Sequence, residues 1–304
     1  MGKALGSRNK RQATCDCCGR VLAPNEGRLV YSPITKYGYQ CERCFNAMES
    51  YSHEVDTFKT EKGKTISITT GFELELNKGM SPRKYQGARI LGAYGFTPSY
   101  DCTCEIEWKS PVYRNLNGIA KLLYSVMEGN EIELNNNVGT HVNVWSEELT
   151  SRDFDRIRNY YEIIFKPLYL EVRNNDSEQK HRALFGRGIW DEDDEGRRWA
   201  LGFGNDYHAA FVNTESCKRD HPRIELRLCK YSNNKQFMNC LRFANDFMKT
   251  ILVNFSRNYM TDSEARAMGK DASFASAHNM HKAKITAQKL VKVYNKYMEK
   301  AQNL

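Results

Sequence analysis

Acidic residues alternate with apolar ones in two short stretches of the chain, which is the pattern that brings carboxylates to one face of a strand. Glu73 and Glu75 are separated by a single apolar residue, and Glu105 and Glu107 repeat the arrangement. Successive side chains of a β-strand point to opposite faces, so each pair shares a face at a spacing of about 7 Å. Because Mg²⁺ prefers carboxylate oxygens, the two stretches together predict a magnesium site.

Two further stretches carry the same alternation with nitrogen-bearing or mixed side chains. His141 and Asn143 form one polar pair, and Glu225 stands between Arg223 and Arg227 in the other. An arginine beside acids can hold a phosphoryl oxygen while metal ions neutralise the remaining charge. If the stretches share a face, they predict a site that handles polyphosphate. The alternative is the ordinary wet face of an antiparallel sheet, which shows the same alternation.

Cysteine pairs near the N-terminus predict a separate, structural metal site. Cys15 and Cys18 form one Cys-x-x-Cys knuckle, and Cys41 and Cys44 form a second after 22 intervening residues. Four thiolates at this spacing are typical of a closed tetrahedral zinc site that stabilises the fold and performs no chemistry. Cys17 is an alternative ligand within the first knuckle.

Composition sets the class of protein. The chain has 304 residues, 40% of them hydrophobic, which suffices for one sizeable domain and a small module. No apolar run reaches the ~18 residues that span a bilayer, and the polar, basic N-terminus is not a secretory signal. We therefore expect a cytoplasmic protein with reduced thiols, which favours metal ligation by the ten cysteines over disulfides.

Positive charge is concentrated at the two ends of the chain, whose net charge is +8. Residues 1–15 hold four basic residues and no acid, and residues 272–304 hold six lysines against Glu299 alone. Such ends could contact nucleic acid or another polyanion, and solvated tails are the alternative.

The elements that must position these residues follow from composition and periodicity. The predicted parts are a basic disordered tail (1–12), the zinc module (13–52), a linker (53–66), the main domain (67–260) and a basic helical region (261–304). The predicted strands of the main domain are 67–76, 100–108, 131–144, 207–213 and 223–228. The charged stretch 174–198 is predicted to be an irregular loop, either a lid or plain surface.

Helices are predicted where apolar residues recur at helical spacing. The predicted helices are 115–127, one capped by Thr150 or Ser151 and interrupted at Pro167, 235–255 and 284–300. Thr261 with Glu264 matches the capping box that opens a helix.

The order of the motifs resembles the amidoligase family. These are ATP-dependent carboxylate–amine ligases, related in fold to glutamine synthetase and glutamate–cysteine ligase and often encoded by phages. The matching blocks are Gly71-Phe72-Glu73-Leu74-Glu75, Glu107-Trp108-Lys109-Ser110-Pro111, Gly139-Thr140-His141-Val142-Asn143-Val144, Asn213, and Ile224-Glu225-Leu226-Arg227. Asp101 stands where the family has an acid ahead of the second block. The resemblance covers roughly residues 67–260.

The resemblance implies an α+β fold, in which a curved antiparallel sheet has helices on its convex side and the active site on its concave face. It implies Mg²⁺ ligands at Glu73, Glu75, Glu107, His141 and Glu225. It also implies catalytic roles for Arg227, Arg223 and Asn213, supported by Glu105, Asn143 and Asp101. By analogy, a substrate carboxylate takes the γ-phosphate of ATP to become an acyl phosphate, and an amine then forms an amide or isopeptide bond. The substrates would be an amino acid, a peptide or a protein.

Two positions depart from the family pattern: Asn143 replaces a second histidine, and Trp108-Lys109 replaces an apolar pair. Two other functions are open at this point. A zinc-containing nucleic-acid or protein adaptor on a decayed ligase fold would explain Asn143 and the basic ends. A Mg²⁺-dependent nuclease or phosphohydrolase would also use clustered acids.

Overall fold

A computed structural model describes the chain in segments. The described residues are 6–15, 20–32, 36–43, 45, 57–59, 63–76, 96–99, 106–110, 140–173, 178–186, 190–192, 198–200, 202–204, 210–214, 222–229, 231, 233–256 and 259–301. The chain forms two compact units, one from residues 1–56, 71–140 and 232–234, the other from residues 57–70, 141–231 and 235–304.

Strands and helices are both abundant, so the class is α+β. The strands are β1 (Ala13–Thr14), β2 (Val21–Leu22), β3 (Gly27–Ser32), β4 (Lys36–Cys41), β5 (Thr57–Lys59), β6 (Thr65–Ser67), β7 (Thr69–Leu76), β8 (Thr97–Ser99), β9 (Ile106–Lys109), β10 (Thr140–Trp145), β11 (Trp190–Glu192), β12 (Arg198–Ala200), β13 (Val212–Asn213) and β14 (Ile224–Cys229). The helices are α1 (Ser151–Asn159), α2 (Tyr161–Val172), α3 (Glu178–Phe185), α4 (Asn234–Phe255), α5 (Asp262–Lys270) and α6 (Ala272–Ala301). Across the described segments, no helix is both long and apolar enough to cross a membrane.

The largest sheet has six strands in the order β13-β14-β10-β7-β9-β8. Antiparallel registers join β7 to β9, β8 to β9 and β13 to β14. Four two-stranded sheets, β1-β2, β3-β4, β5-β6 and β11-β12, accompany it, and they too are antiparallel. The predicted strands at 67–76 and 223–228 correspond to β7 and β14 with shifted ends. Of the predicted strands at 131–144 and 207–213, residues 131–139 and 207–209 lie outside the described residues, and β10 and β13 fall in the described parts.

Helix α1 begins where the sequence predicts. Thr150 is its N-cap, and Asp153 completes a capping box by bonding back to the Thr150 backbone. The predicted interruption at Pro167 is wrong, because α2 runs through it to Val172 and the break lies at Tyr160. A proline removes one backbone hydrogen bond. We attribute its tolerance to the burial of the apolar residues of α2 around it, Ile164, Phe165 and Leu168.

The predicted irregular loop at 174–198 contains regular structure. Helix α3 lies in its first half, and β11 pairs antiparallel with β12. Leu184 and Phe185 are buried at the end of α3, so tertiary burial stabilises a helix whose charged sequence gives little periodic signal.

The core of the second unit is aromatic and centres on α4, which follows the predicted helix at 235–255 closely. Phe165 stacks on Phe247 with ring centroids 5.9 Å apart, and Phe185 contacts Phe243 at 5.4 Å. Thr261 and Glu264 form the predicted capping box of α5. The last helix begins at Ala272 and not at the predicted residue 284, since Asp271 accepts hydrogen bonds from the backbone of its first turn.

In the first unit, β3 and β4 form an antiparallel pair in which Gly27 lies opposite Cys41. Part of the tail predicted to be disordered lies against β3. The backbone of Gly6 donates to Leu29, and that of Asn9 donates to Gly27. The open edge of β3 offers unpaired backbone groups that this segment satisfies, an effect that composition alone does not reveal.

Several predicted features lie outside the described residues. They are the helix at 115–127, most of the strand at 100–108, and the positions of Cys17, Cys18, Cys44, Asp101 and Glu105.

Candidate functional site

The polar residues of the sheet are buried. Exposure is 7% at Glu73, 8% at Glu75, 5% at Glu107, 4% at His141 and 5% at Glu225. An ordinary wet face would leave such side chains in water, so these positions do not fit that alternative. Burial of a charge is costly unless it is paired or binds a metal. The sheet therefore needs cations near these carboxylates.

The β7–β9 pair places acids and a lysine on one face. Glu75 lies directly opposite Glu107, and Glu73 lies directly opposite Lys109. The Lys109 ammonium is 3.1 Å from Glu107 Oε2 and its side chain is 45% exposed. One charged group at this face thus reaches solvent, whereas the carboxylates do not.

Three of the predicted ligands come together. Glu73, Glu107 and His141 each offer one ligand atom, and these atoms lie within 4.8 Å of one another. Two carboxylates with an imidazole suit a divalent cation, since carboxylates favour Mg²⁺ or Mn²⁺ and imidazole extends the range toward other divalent transition metals. The donor set therefore fits the magnesium site that the sequence predicts, and Mn²⁺ is a suitable probe for it.

Glu225 lies next to this group, and its buried Oε1 is close to two nitrogen atoms without forming a hydrogen bond to either. Its Oε1 is 3.3 Å from His141 Nδ1 and 2.6 Å from Arg227 Nε. Both contacts are ion pairs by distance, but neither has hydrogen-bond geometry, so this buried oxygen accepts no hydrogen bond within the described chain. An oxygen of this kind can still take a metal ion, which keeps Glu225 available as a further ligand.

The remaining predicted residues surround Glu225. Arg223 Nε donates to Asn143 Oδ1 at 2.9 Å, so the asparagine orients an arginine. Asn213 lies opposite Glu225 across the β13–β14 pair and is buried. The Tyr161 hydroxyl donates to the carbonyl of Val212 next to it. Burial raises the pKa of Tyr161, which keeps this phenol protonated as a donor.

Two hydrogen-bonding arrangements position the strands of the site. Ser110 Oγ accepts from the backbone of Phe72, and the Ser110 backbone donates to the Phe72 carbonyl, both at 2.8 Å. The fully buried His181 lies with Nε2 3.2 Å from the Leu228 carbonyl and Nδ1 3.0 Å from the Tyr294 hydroxyl. The first arrangement fixes β7 at Phe72, the residue before Glu73. The second connects α3 and α6 to β14 near Arg227.

Two of the four predicted zinc ligands are described, and they lie side by side. Cys15 and Cys41 are buried, and the backbone of Cys41 donates to Cys15 Sγ at 3.3 Å. Adjacent buried thiols can supply two ligands of a tetrahedral zinc site. The two cysteines therefore fit a zinc site.

Sequence reasoning missed two residues of this region, Ser110 and His181. Lys109 shares the strand face of Glu107 by alternation alone, but its contact with Glu107 requires the fold. Ser110 was one letter of a motif, and its bonds to Phe72 require the fold. His181 has no signal in the sequence at all, because its partners are 47 and 113 residues away.

Comparison of the chain with known proteins found no relative. No protein-family model and no curated protein matches the chain.

Proposed function

We propose that the protein is an ATP- and Mg²⁺-dependent carboxylate–amine ligase that works through an acyl phosphate. The observation that carries the proposal is the buried group of Glu73, Glu107 and His141, whose ligand atoms lie within 4.8 Å of one another. A buried donor set of this kind beside Arg227 and Glu225 suits a substrate with dense negative charge, such as a nucleotide polyphosphate.

The residues divide into two roles. Glu73, Glu107 and His141 would hold Mg²⁺, with Glu75 and Glu225 as further carboxylates. When bound, the metal neutralises phosphate charge. Arg227 and Arg223 are held by Glu225 and Asn143, so their guanidinium groups are oriented before substrate arrives. Pre-oriented donors stabilise charge without reorganisation during the reaction, and arginine matches phosphoryl oxygens well.

The reaction has two displacements. A carboxylate oxygen of the substrate attacks the γ-phosphorus of ATP, and the bond to the ADP oxygen breaks. The amine of the second substrate then attacks the acyl carbon, loses a proton, and releases inorganic phosphate to leave an amide. Burial of the acids limits access of water, which would otherwise hydrolyse the acyl phosphate.

A coupled assay tests this function. The full chain with ATP, Mg²⁺ and pools of amino acids or peptides should release ADP and phosphate together with a product whose mass equals the two substrates less one water. Glu107→Gln should lower the rate more than about a hundredfold, since even the partners of metal ligands contribute about 10–100-fold. The matched control is Glu162→Gln, which removes an exposed acid of α2.

Other outcomes of the same assay separate the alternatives. Phosphate release without any amide product, or cleavage of added DNA or RNA that Glu107→Gln abolishes, would instead identify a metal-dependent phosphohydrolase. An inert protein that binds no nucleotide in Mg²⁺ would contradict the ligase and favour the adaptor.

A further inference from the structure

Helix α6 has two sharply different sides. Its buried side is formed by Ala283, Thr286, Ala287, Leu290, Tyr294, Tyr297 and Met298. The helix also carries six lysines, Lys282, Lys284, Lys289, Lys292, Lys296 and Lys300. At 3.6 residues per turn, all six fall within an arc of about 160° centred opposite the buried side. The packing of α6 therefore turns its whole positive charge outward.

The outward charge is little neutralised by the protein itself. Glu299 is the only acid within α6. Lys289 donates to Asn254, and the Lys300 ammonium lies over the Tyr297 ring. The remaining outward lysines include Lys284, Lys292 and Lys296, which are exposed and form no ion pair within the described segments.

This arrangement differs from that of a merely solvated helix. Exposed helices are usually stabilised by acids placed three or four residues from lysines. Here a single acid, Glu299, stands three residues from a lysine of the row, Lys296. Lys292, Lys296 and Lys300 follow one another at a spacing of four, where like charges destabilise a helix by about 0.2–0.5 kcal/mol per pair. A row of this kind is favourable when an anionic partner neutralises it.

The features of α6 identify the class of partner. Its apolar side is packed inside the protein, so the helix has no face to insert into a lipid bilayer. Tyr294 and Tyr297, the aromatic residues between the lysines, are buried. The exposed Phe274 stacks on His278 and precedes the first lysine by eight residues, so the lysine row itself lacks the stacking platforms that single strands require. The lysine row runs from Lys282 to Lys300, about 27 Å at 1.5 Å per residue, a length that suits the regular phosphate array of a duplex.

We propose that the outward face of α6 binds the phosphate backbone of duplex DNA without sequence preference. Lysines act as point charges, so they bind phosphate but carry no planar donor pattern to read base edges. The proposal does not depend on the ligase reaction, and the two can fail separately.

Fluorescence anisotropy of a labelled 30-base-pair duplex with the full chain, between 50 and 200 mM NaCl, tests the proposal. The test variant is Lys284→Gln/Lys292→Gln/Lys296→Gln. Its matched control is Lys59→Gln/Lys166→Gln/Lys235→Gln, which removes the same charge from exposed lysines elsewhere. The test variant should bind at least about tenfold more weakly at 50 mM NaCl, and its slope of log affinity against log salt should flatten by about 2–3. The control should bind within about twofold of the native chain.

Four results would overturn the proposal: no binding by the native chain at 50 mM NaCl, an equal loss in the control, single-stranded DNA bound as tightly as duplex, or phosphatidylserine vesicles bound as tightly as duplex. Because all six substituted lysines are exposed, both variants should melt at the native temperature, which circular dichroism verifies.

Discussion

Glu75 on β7 lies directly opposite Glu107 on β9, and both carboxylates are buried. Residues that face each other across an antiparallel pair have Cβ atoms about 4.5–5.5 Å apart, and like charges at this distance are destabilising. The sheet tolerates the pair if a cation lies nearby. Its stability should therefore respond to divalent metal.

The first prediction concerns this carboxylate pair. Glu75→Gln removes one of the two like charges, so in EDTA we expect unfolding to become less favourable by up to about 1 kcal/mol. The added stability that Mg²⁺ gives should shrink, because one carboxylate fewer attracts the ion. Thermal unfolding by circular dichroism in EDTA and in Mg²⁺ measures both effects. Glu162→Gln is the control, and a variant that melts lower in EDTA would contradict the repulsion.

Lys109 supplies the second prediction, because it competes with a metal for Glu107. Replacing it by methionine keeps the aliphatic stem and removes a positive charge 3.1 Å from Oε2. We expect Mn²⁺ to bind about three- to tenfold more tightly, a modest gain because the ammonium is half exposed and screened. Calorimetric titration measures the affinity. Lys64→Met is a matched control, since Lys64 is 47% exposed and pairs with Glu148.

The titration with Lys109→Met distinguishes a failure of the proposed competition from a failure of the metal site itself. Equal Mn²⁺ affinity in the native chain and Lys109→Met would show that the lysine does not compete. Absence of Mn²⁺ binding in the native chain would remove the metal site itself.

A third prediction compares two buried tyrosines of α6. Tyr294→Phe leaves Nδ1 of the fully buried His181 without its hydroxyl partner, which costs about 1–3 kcal/mol. Tyr297→Phe removes a bond to Asp246, whose side chain is 33% exposed and can bind water instead. We therefore expect the larger loss of unfolding free energy at Tyr294, measured by urea denaturation. A larger loss at Tyr297 would contradict the assignment.

Local signals in the sequence predicted the elements that local chemistry determines. The alternation around Glu73 predicted β7, and Thr150 and Thr261 predicted two helix starts because capping involves residues only three apart. The candidate ligands also followed from alternation, since each occupies one face of its own strand.

What the sequence did not give depends on distant partners. Helix α3 is stabilised by burial of Leu184 and Phe185, and Pro167 is tolerated within α2, neither of which a local pattern encodes. The contact of Lys109 with Glu107, and its position opposite Glu73, likewise depend on how β9 pairs with β7.

The fourth prediction tests the zinc site through Cys15, which lies beside Cys41. Cys15→Ser should lose the metal, so zinc measured by mass spectrometry should fall from about one ion per chain to nearly none. Cys229→Ala, a buried cysteine of β14, is the control and should keep its zinc. Cys17→Ser decides the alternative ligand: retained zinc supports the pairing of Cys15 with Cys18. Native protein without zinc would refute the site.

The fifth prediction follows from Glu42, which binds Arg28 and Arg8 with distances of 2.7 and 2.8 Å. The hydrogen bonds from Arg28, and then from Arg8, lower the pKa of Glu42 from its ordinary value of 4.5. A carboxylate with a lowered pKa stabilises the fold at neutral pH, and this stabilisation is lost as pH falls below 4.5 and through the lowered value.

Glu42→Gln should accordingly speed amide hydrogen exchange at Gly6 and Asn9, whose backbone bonds to β3 lie beside Arg8. The difference from the native chain should be full at pH 7, disappear at strongly acidic pH, and shrink in 1 M NaCl because these groups are exposed. Exchange rates corrected for the intrinsic effect of pH measure it. A difference that persists unchanged below the lowered pKa would mean that the charge of Glu42 does not hold this segment against β3.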